Sequence, residues 1–191
     1  MNNNVISVLS AINTGNYNNK NNIDLDLRFA TYTPGDNDSL DRSLPLQPFN
    51  SGHLLWLMVD TVLYFRPTIV TLTEDGFVGR DLFDDEDALA DHDPYVGSVL
   101  TSSKHINGAA LILIPQVRKR ILTLLDSSFY FCFTSVHEVM IHKCDPDIKP
   151  ESIKEVVSVV NASGIVYKEL ILSDHVYICN NDEKYSIDIV L

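Results

Sequence analysis

The sequence predicts an α+β fold, with a mainly antiparallel sheet and two packed helices in the C-terminal half and a smaller mixed α/β N-terminal half. The first reason is the order of patterns after residue 95, which runs strand, strand, helix, strand, helix, strands. The second is a content of 45% hydrophobic residues in a chain of 191, which is enough to bury a core. The third is an uneven distribution of charge that separates the two halves.

The formal net charge of −12 lies mostly in the N-terminal half. Residues 1–96 contain 15 acidic and 5 basic side chains, whereas residues 97–191 contain 11 and 9. A negative surface repels phosphate groups, so direct binding to nucleic acid or to a membrane surface is not expected. We predict a variable acidic region over residues 1–94 and an α+β domain over residues 95–191.

The cysteines and the apolar runs indicate the compartment. Cys132, Cys144 and Cys179 lie far apart and form no C-x-x-C pair, which is typical of core cysteines in a reducing compartment. The N-terminus has no signal-peptide pattern, and the longest apolar run, residues 54–65, is too short to cross a bilayer. A cytoplasmic protein without a cofactor is therefore expected.

The N-terminal half contains several short candidate elements. Residues 5–12 suit a strand or a helical turn, and residues 23–29 alternate apolar and charged side chains as a half-exposed strand does. A long loop is expected over residues 33–50. Residues 53–65 are apolar on nearly every side and predict a buried helix, with a pair of strands as the alternative. Residues 68–73 predict a strand that ends in a tight turn.

An acidic segment, residues 81–93, has seven acids in 13 positions and neither lysine nor arginine. Its acidic residues are Asp81, Asp84, Asp85, Glu86, Asp87, Asp91 and Asp93. A solvated loop, a docking surface for a basic protein and a cation site are three interpretations of such a cluster. The spacing lacks the D-x-D-x-D-G pattern of a calcium loop, so no metal is expected. We keep the seven acids as candidate interaction residues.

The C-terminal half predicts a hairpin and two helices. Residues 95–102 and 108–114 are interpreted as strands joined by Asn107-Gly108, a pair that favours a tight turn. Helices are predicted to begin at Pro115 and Pro150, because proline is favoured at the first helical position. The polar residues expected to face water from the first of these helices are Gln116, Arg118, Lys119 and Arg120.

The centre of this half is a strand predicted at residues 129–133, where every residue is aromatic or cysteine. Such a composition suits a strand that is buried on both faces. Further strands are predicted at residues 166–172, 176–179 and 185–190. A helix ending near Gly164 separates them from the central strand.

Five short phrases of the C-terminal half share their order and intervals with one domain family. They are Val99-Leu100-Thr101, Asn107–Ala110 with Ile114-Pro115, Thr134–Val139, Val157–Ala162 and Ile171–Tyr177. In this order they resemble an uncharacterised bacterial family found mostly in gut Clostridia such as Lachnospiraceae. The resemblance covers residues 95–190, implies a bacterial or phage origin and carries no activity. Cys132-Phe133-Thr134 departs from it, since the family has Leu-Pro-Ser there.

Ser135, His137 and Glu138 are the alternative catalytic candidates, because they provide a nucleophile, a base and a carboxylate that could orient the base. No glycine-flanked elbow surrounds Ser135, and polar side chains at a strand end commonly bind local backbone groups instead. A zincin site needs two histidines four positions apart on a helix, whereas His137 and His142 are five apart. No metal site is predicted.

The leading hypothesis is a non-enzymatic interaction protein that uses its acidic half to bind a basic or nucleic-acid-binding protein. An inhibitor of a host protein, encoded by a phage or another mobile element, is the specific form that we consider. A virion or assembly component is one alternative, and a small hydrolase using Ser135, His137 and Glu138 is the other. The sequence does not predict the oligomeric state.

Overall fold

A computed structural model describes residues 6–13, 25–34, 39–41, 51–163 and 171–191. Within these ranges the chain forms ten strands and four helices, and the fold is α+β as predicted. The strands make one three-stranded and one seven-stranded sheet. Strand pairing within both sheets is antiparallel. No helix in the described ranges has the length and apolar character that a membrane crossing requires.

The first six elements precede the acidic segment. They are β1 (Ile6–Asn13), β2 (Leu25–Thr33), β3 (Ser39–Asp41), α1 (Ser51–Phe65), β4 (Pro67–Thr73) and β5 (Gly76–Asp81). The strand alternative for residues 5–12, the strand at 23–29, the helix at 53–65 and the strand at 68–73 are confirmed over the residues described. Gly76 has φ +112° after the turn between β4 and β5, a conformation that glycine adopts without strain.

The remaining elements follow the acidic segment. They are β6 (Ser98–Ser102), α2 (Gly108–Ile112), α3 (Pro115–Leu125), β7 (Phe129–Phe133), β8 (Val139–Lys143), α4 (Pro150–Ala162), β9 (Tyr177–Cys179) and β10 (Ile187–Ile189). Both helices predicted to begin with proline are confirmed. Helix α4 ends at Ala162 with Ser163 as its C-cap, close to the predicted end at Gly164, which lies outside the described residues. Most of the strand predicted at residues 166–172 also lies outside them.

The large sheet has the strand order β10-β9-β7-β8-β6-β4-β5, and β7 lies inside it. Side chains alternate across a strand, so Phe129, Phe131 and Phe133 point to one face and join the main core. Cys132 points to the other face, where it forms a second cluster with Ile153 and Val157 of α4 and with Val176. The prediction of a central strand buried on both faces is confirmed.

The small sheet and the two helices α1 and α2 share the main core. Val8 and Tyr32 contribute buried side chains to it. The N–H of Leu9 donates a 2.9 Å hydrogen bond to Thr61 Oγ1 on α1, and Asn107 Nδ2 donates a 2.7 Å bond to the Leu9 carbonyl. These buried bonds join β1 to α1 and to the start of α2.

The hairpin predicted for residues 95–102 and 108–114 is wrong. Asn107 has the expected positive φ of 59°, but the residues after it form α2, which is buried throughout. A short apolar run suits a buried strand and a buried helical turn equally, so periodicity does not distinguish them. Gly108 itself is closely packed, because a Cβ there would overlap the His137 carbonyl oxygen and lie 2.8 Å from Thr101 Cα.

Arg118 was predicted to face water from α3, and this is wrong. Its side chain is buried, with Nε donating to the Tyr185 carbonyl at 3.0 Å and Nη1 donating to the Ile112 carbonyl at 3.0 Å. Burial lowers the pKa of its guanidinium. Arg118 therefore ties α3 to the end of α2 and to the segment before β10.

Candidate functional site

The polar residues after β7 form a turn that is bonded internally. Ser135 is 7% exposed, and its Oγ accepts a 3.0 Å hydrogen bond from the N–H of His137. Thr134 Oγ1 donates to the carbonyl of Glu138 at 3.3 Å. The Ser135 hydroxyl thus serves the local backbone, as side chains of this type do at strand ends.

His137 also serves the backbone. Its Nδ1 accepts a 3.2 Å hydrogen bond from the N–H of Asn107, and its carbonyl accepts a 3.1 Å bond from Thr101 Oγ1. A neutral imidazole has a single lone pair for hydrogen bonding, and in His137 that lone pair is already used. His137 would have to release Asn107 before it could take a proton from Ser135. This geometry gives the hydrolase alternative no support.

A second serine–histidine contact joins Ser98 to His92, and no sequence pattern indicated it. His92 Nδ1 lies 2.8 Å from Ser98 Oγ, and His92 Nε2 accepts a 3.1 Å bond from the N–H of Lys143. Because Nε2 accepts, Nδ1 carries the proton and donates to Ser98, which is the wrong direction for a general base. Burial, with His142 nearby, lowers the pKa of His92 to about 4. The neutral ring fastens the acidic segment to the sheet.

The acidic segment is partly neutralised by two arginines that flank it. Arg66 Nη2 lies 2.9 Å from Asp81 Oδ2 and 2.7 Å from Asp84 Oδ2. Arg80 pairs with Asp91 at 2.6 Å and more loosely with Asp85 at 3.8 Å.

Three candidate interaction residues take no part in these pairs. Asp93 Oδ1 accepts hydrogen bonds from the N–H groups of Tyr95 and Val96. Glu86 and Asp87 are exposed, and among the residues that the structure describes they form no ion pair. Glu86, Asp87 and Asp93 are therefore the acids of this segment that pair with no arginine among the residues described.

The acidic segment also has a buried side. Leu82, Ala88 and Leu89 are buried beneath the acids. Arg120 of α3 donates to the carbonyls of Leu82 and Asp85 at 3.0 and 3.2 Å. The segment is consequently held against α3.

Helix α1 was predicted to be buried, and this is wrong for one of its faces. Leu57 and Phe65 are buried on the side that meets the core. Trp56, Val59 and Leu63 are 70%, 40% and 66% exposed. Their spacing of three and four positions places them on one face of the helix. The main contacts of α1 with other elements are with β1 and α2, and the ring of Phe65 also packs against Tyr32 of β2.

A shallow apolar groove of about 250 Å³ lies beside the exposed face of α1. Its lining residues are Met58, Val59, Val62, Leu63, Phe83, Ile114 and Gln116. Val62, Leu63 and Phe83 also line an adjoining groove that reaches the ion pair of Arg66 with Asp81 and Asp84. We call Trp56, Val59, Leu63, Phe83 and these grooves the α1 surface.

Among the residues that the structure describes, no three His, Cys, Asp or Glu side chains are grouped so that they could hold a metal ion. The sequence indicated the acidic segment but not the α1 surface. A helix without a polar face offers no signal for which side is left open, because that depends on the neighbours it meets in the fold.

Fold and site together define an α+β protein with an exposed apolar helix face beside a partly neutralised acidic segment. The family model DUF5688, described as a family of unknown function, matches residues 77–180, and the chain belongs to this family. The match begins at residue 77 rather than at 95, so it includes all of β5 but its first residue, and the acidic segment. No curated protein and no solved structure matches the chain.

The domain boundary after residue 94 stays a prediction. The large sheet continues across it, because β4 pairs with both β5 and β6. The family match also extends across this position.

Proposed function

We propose that this protein is a non-enzymatic binding protein whose α1 surface takes an apolar segment of a basic partner protein. The observation that carries the proposal is the row of exposed apolar side chains on α1 next to an apolar groove of about 250 Å³. Contiguous exposed apolar patches on soluble proteins commonly mark interaction sites. Large exposed side chains such as Trp56 and Leu63 contribute most when a partner covers them.

Charge complementarity supports a basic partner. Glu86 and Asp87 are exposed on the same segment that places Phe83 in the α1 surface. A partner segment with apolar residues flanked by lysine or arginine would bury its apolar side chains in the groove and place its charges near these acids. An inhibitor that occupies a nucleic-acid-binding protein, encoded by a mobile element, is one specific form of this proposal.

The test combines capture with a defined mutation. The tagged protein is used to capture partners from its native host, in parallel with Leu63→Asp and with the control Val159→Asp, which changes an exposed apolar residue on α4. We expect one partner to be retained by the wild type and the control and lost by Leu63→Asp. Equal capture by Leu63→Asp would contradict the proposal.

The purified partner then allows a direct measurement. Met58 lines the groove, so the NMR signal of its labelled methyl group should shift as the partner is added. Glu86→Gln with Asp87→Asn should weaken binding at low salt and have little effect at high salt, because salt screens exposed charges. A partner whose affinity changes neither with salt concentration nor with these substitutions would not be the basic protein that we propose.

The assembly component remains the second candidate, since a second copy of the chain could cover the same apolar face. It predicts a defined oligomer in light scattering that Leu63→Asp reduces to a monomer. A wild-type monomer at working concentration would count against this alternative.

A further inference from the structure

A second groove lies on the opposite face of the large sheet from the α1 surface. It has a volume of about 230 Å³ and lies between β8, residues 95–96 and the start of α4. Its apolar walls come from Tyr95, Val96, Met140, Ile148, Ile153 and Val156. Asp147 and Lys149 bring opposite charges to its polar edge, together with the hydroxyl group of Ser152.

His142 lines this groove and has one ring nitrogen without a partner. The residue is 5% exposed, and its Nδ1 lies 3.1 Å from the Pro94 carbonyl oxygen. A carbonyl can only accept, so Nδ1 carries the proton and Nε2 holds the free lone pair. Nε2 is buried and makes no hydrogen bond. A buried acceptor left unpaired costs stability, so such a group calls for an explanation.

The ring of His142 lies against Gly97, on the same sheet face as Met140. His142 and Met140 lie two positions apart on β8, so their side chains leave the same face of the sheet, and both line the groove. A Cβ on Gly97 would lie 2.7 Å from His142 Cε1, so only glycine leaves room for the ring. Gly97 also has φ +80°, which favours glycine.

The chemistry of the groove selects a ligand class. Its volume is below the roughly 300–1,000 Å³ of pockets for drug-sized ligands and above the about 150 Å³ cavity that holds benzene, which fits one substituted ring. Burial lowers the pKa of His142 and keeps the ring neutral, although its bond to Pro94 opposes this shift. A neutral acceptor requires an O–H or N–H donor. The opposite charges of Asp147 and Lys149 give no preference for an ionic ligand.

We propose that this groove binds a small uncharged aromatic ring compound of the phenol type, whose O–H donates a hydrogen bond to His142 Nε2. The ring would pack against the apolar walls and against Met140, whose unbranched side chain can shift to open the way to the imidazole. This site is independent of the α1 surface, because it lies on the opposite face of the sheet and uses different residues.

The test uses phenol and toluene as probes of similar shape, of which only phenol has a donor. The full chain is labelled at its methionine methyl groups, so that Met140 reports on this groove and Met58 reports on the α1 surface. We expect a saturable shift of the Met140 signal with phenol, binding about tenfold weaker for toluene, and an unchanged Met58 signal. Equal affinities for the two probes, or a Met140 signal that phenol does not move, would overturn the proposal.

Two variants complete the test. His142→Phe removes the acceptor and should bring the affinities for phenol and toluene to within about twofold of each other. Val156→Trp fills the groove from a half-exposed position on α4 and should abolish the Met140 shift with both probes while the chain stays folded. If His142→Phe fails to fold, Val156→Trp decides alone, and a phenol-induced shift that persists in it excludes this groove as the site.

Discussion

Helices α1 and α2 are both apolar, yet α2 is buried throughout and α1 is exposed on one face. All five residues of α2 are buried between β1, β6 and neighbouring helices. Helix α1 buries one side and leaves Trp56 and Leu63 exposed. The difference shows that apolar composition does not decide burial, because burial depends on how many neighbours surround a helix. An apolar face that the fold leaves uncovered is therefore available for binding.

The largest effect is expected at the start of α2. Gly108→Ala should lower the free energy of unfolding by at least about 3 kcal/mol, because the added methyl group meets backbone atoms that cannot move aside. Urea unfolding measures this loss. Gly79→Ala is the matched control, since its methyl group would meet only side-chain atoms at 3.6 Å or more, and a change below about 1 kcal/mol is expected.

If Gly108→Ala were as stable as Gly79→Ala, the close packing of α2 against residues 101 and 137 would be contradicted. The conclusion that α2 is tightly enclosed whereas α1 is exposed on one face would then lose its main support.

Acid should loosen the acidic segment, which supplies Phe83 to the α1 surface. The pKa of His92 is about 4 in the folded protein and 6.5 without the fold, so the unfolded chain binds more protons between these values. The contribution of His92 to the free energy of unfolding is complete above pH 6.5. It falls by up to about 3 kcal/mol as the pH drops to 4, and it does not change further at lower pH.

The free energy of unfolding at several pH values measures this effect, with His92→Gln as the comparison. Glutamine offers a donor and an acceptor in similar places without titrating, so its curve should be flatter between pH 6.5 and 4. Parallel curves for the two proteins would show that His92 is not held neutral by the fold.

A smaller effect is expected on the buried side of α1. Thr61→Val removes the hydroxyl group that accepts the N–H of Leu9 and should cost about 1–3 kcal/mol, because that N–H is left buried without a partner. Thr61→Ser keeps the hydroxyl group and should cost less. Urea unfolding of both variants tests the order, and a Thr61→Ser protein less stable than Thr61→Val would contradict it.

The smallest change in stability is expected on the open side of α1. Leu63→Asp should alter the free energy of unfolding by no more than about 0.5 kcal/mol, because Leu63 is 66% exposed. The same substitution should abolish partner binding. A large loss of stability in Leu63→Asp would show that the face is structural rather than a binding surface.

Local pattern was sufficient for several of the regular elements. The alternation in β2, the β-branched run in β4 and the aromatic run in β7 each predicted a strand at the correct place, because side-chain periodicity determines which face is buried. The α+β class followed from the order of these elements. The Asn107-Gly108 pair led to the wrong prediction of a hairpin, because the positive φ of Asn107 suits a hairpin turn and the start of α2 equally well.

Long-range contacts account for what the sequence did not reveal. Arg118 has the charge of a surface residue, and the carbonyls of Ile112 and Tyr185 accept hydrogen bonds from its buried guanidinium. The acidic segment contains neither lysine nor arginine, but Arg66 and Arg80 reach it from outside. The partnerless Nε2 of His142 likewise depends on strand neighbours that sequence spacing does not specify.

The chain contains one tryptophan, and the fold places it on the open face of α1. The indole emission of the whole protein therefore originates from one position on the surface proposed to meet a partner. Iodide or acrylamide should quench this emission readily in the isolated protein, and a bound partner should protect it. The molecule thus carries its own optical reporter, which requires no label.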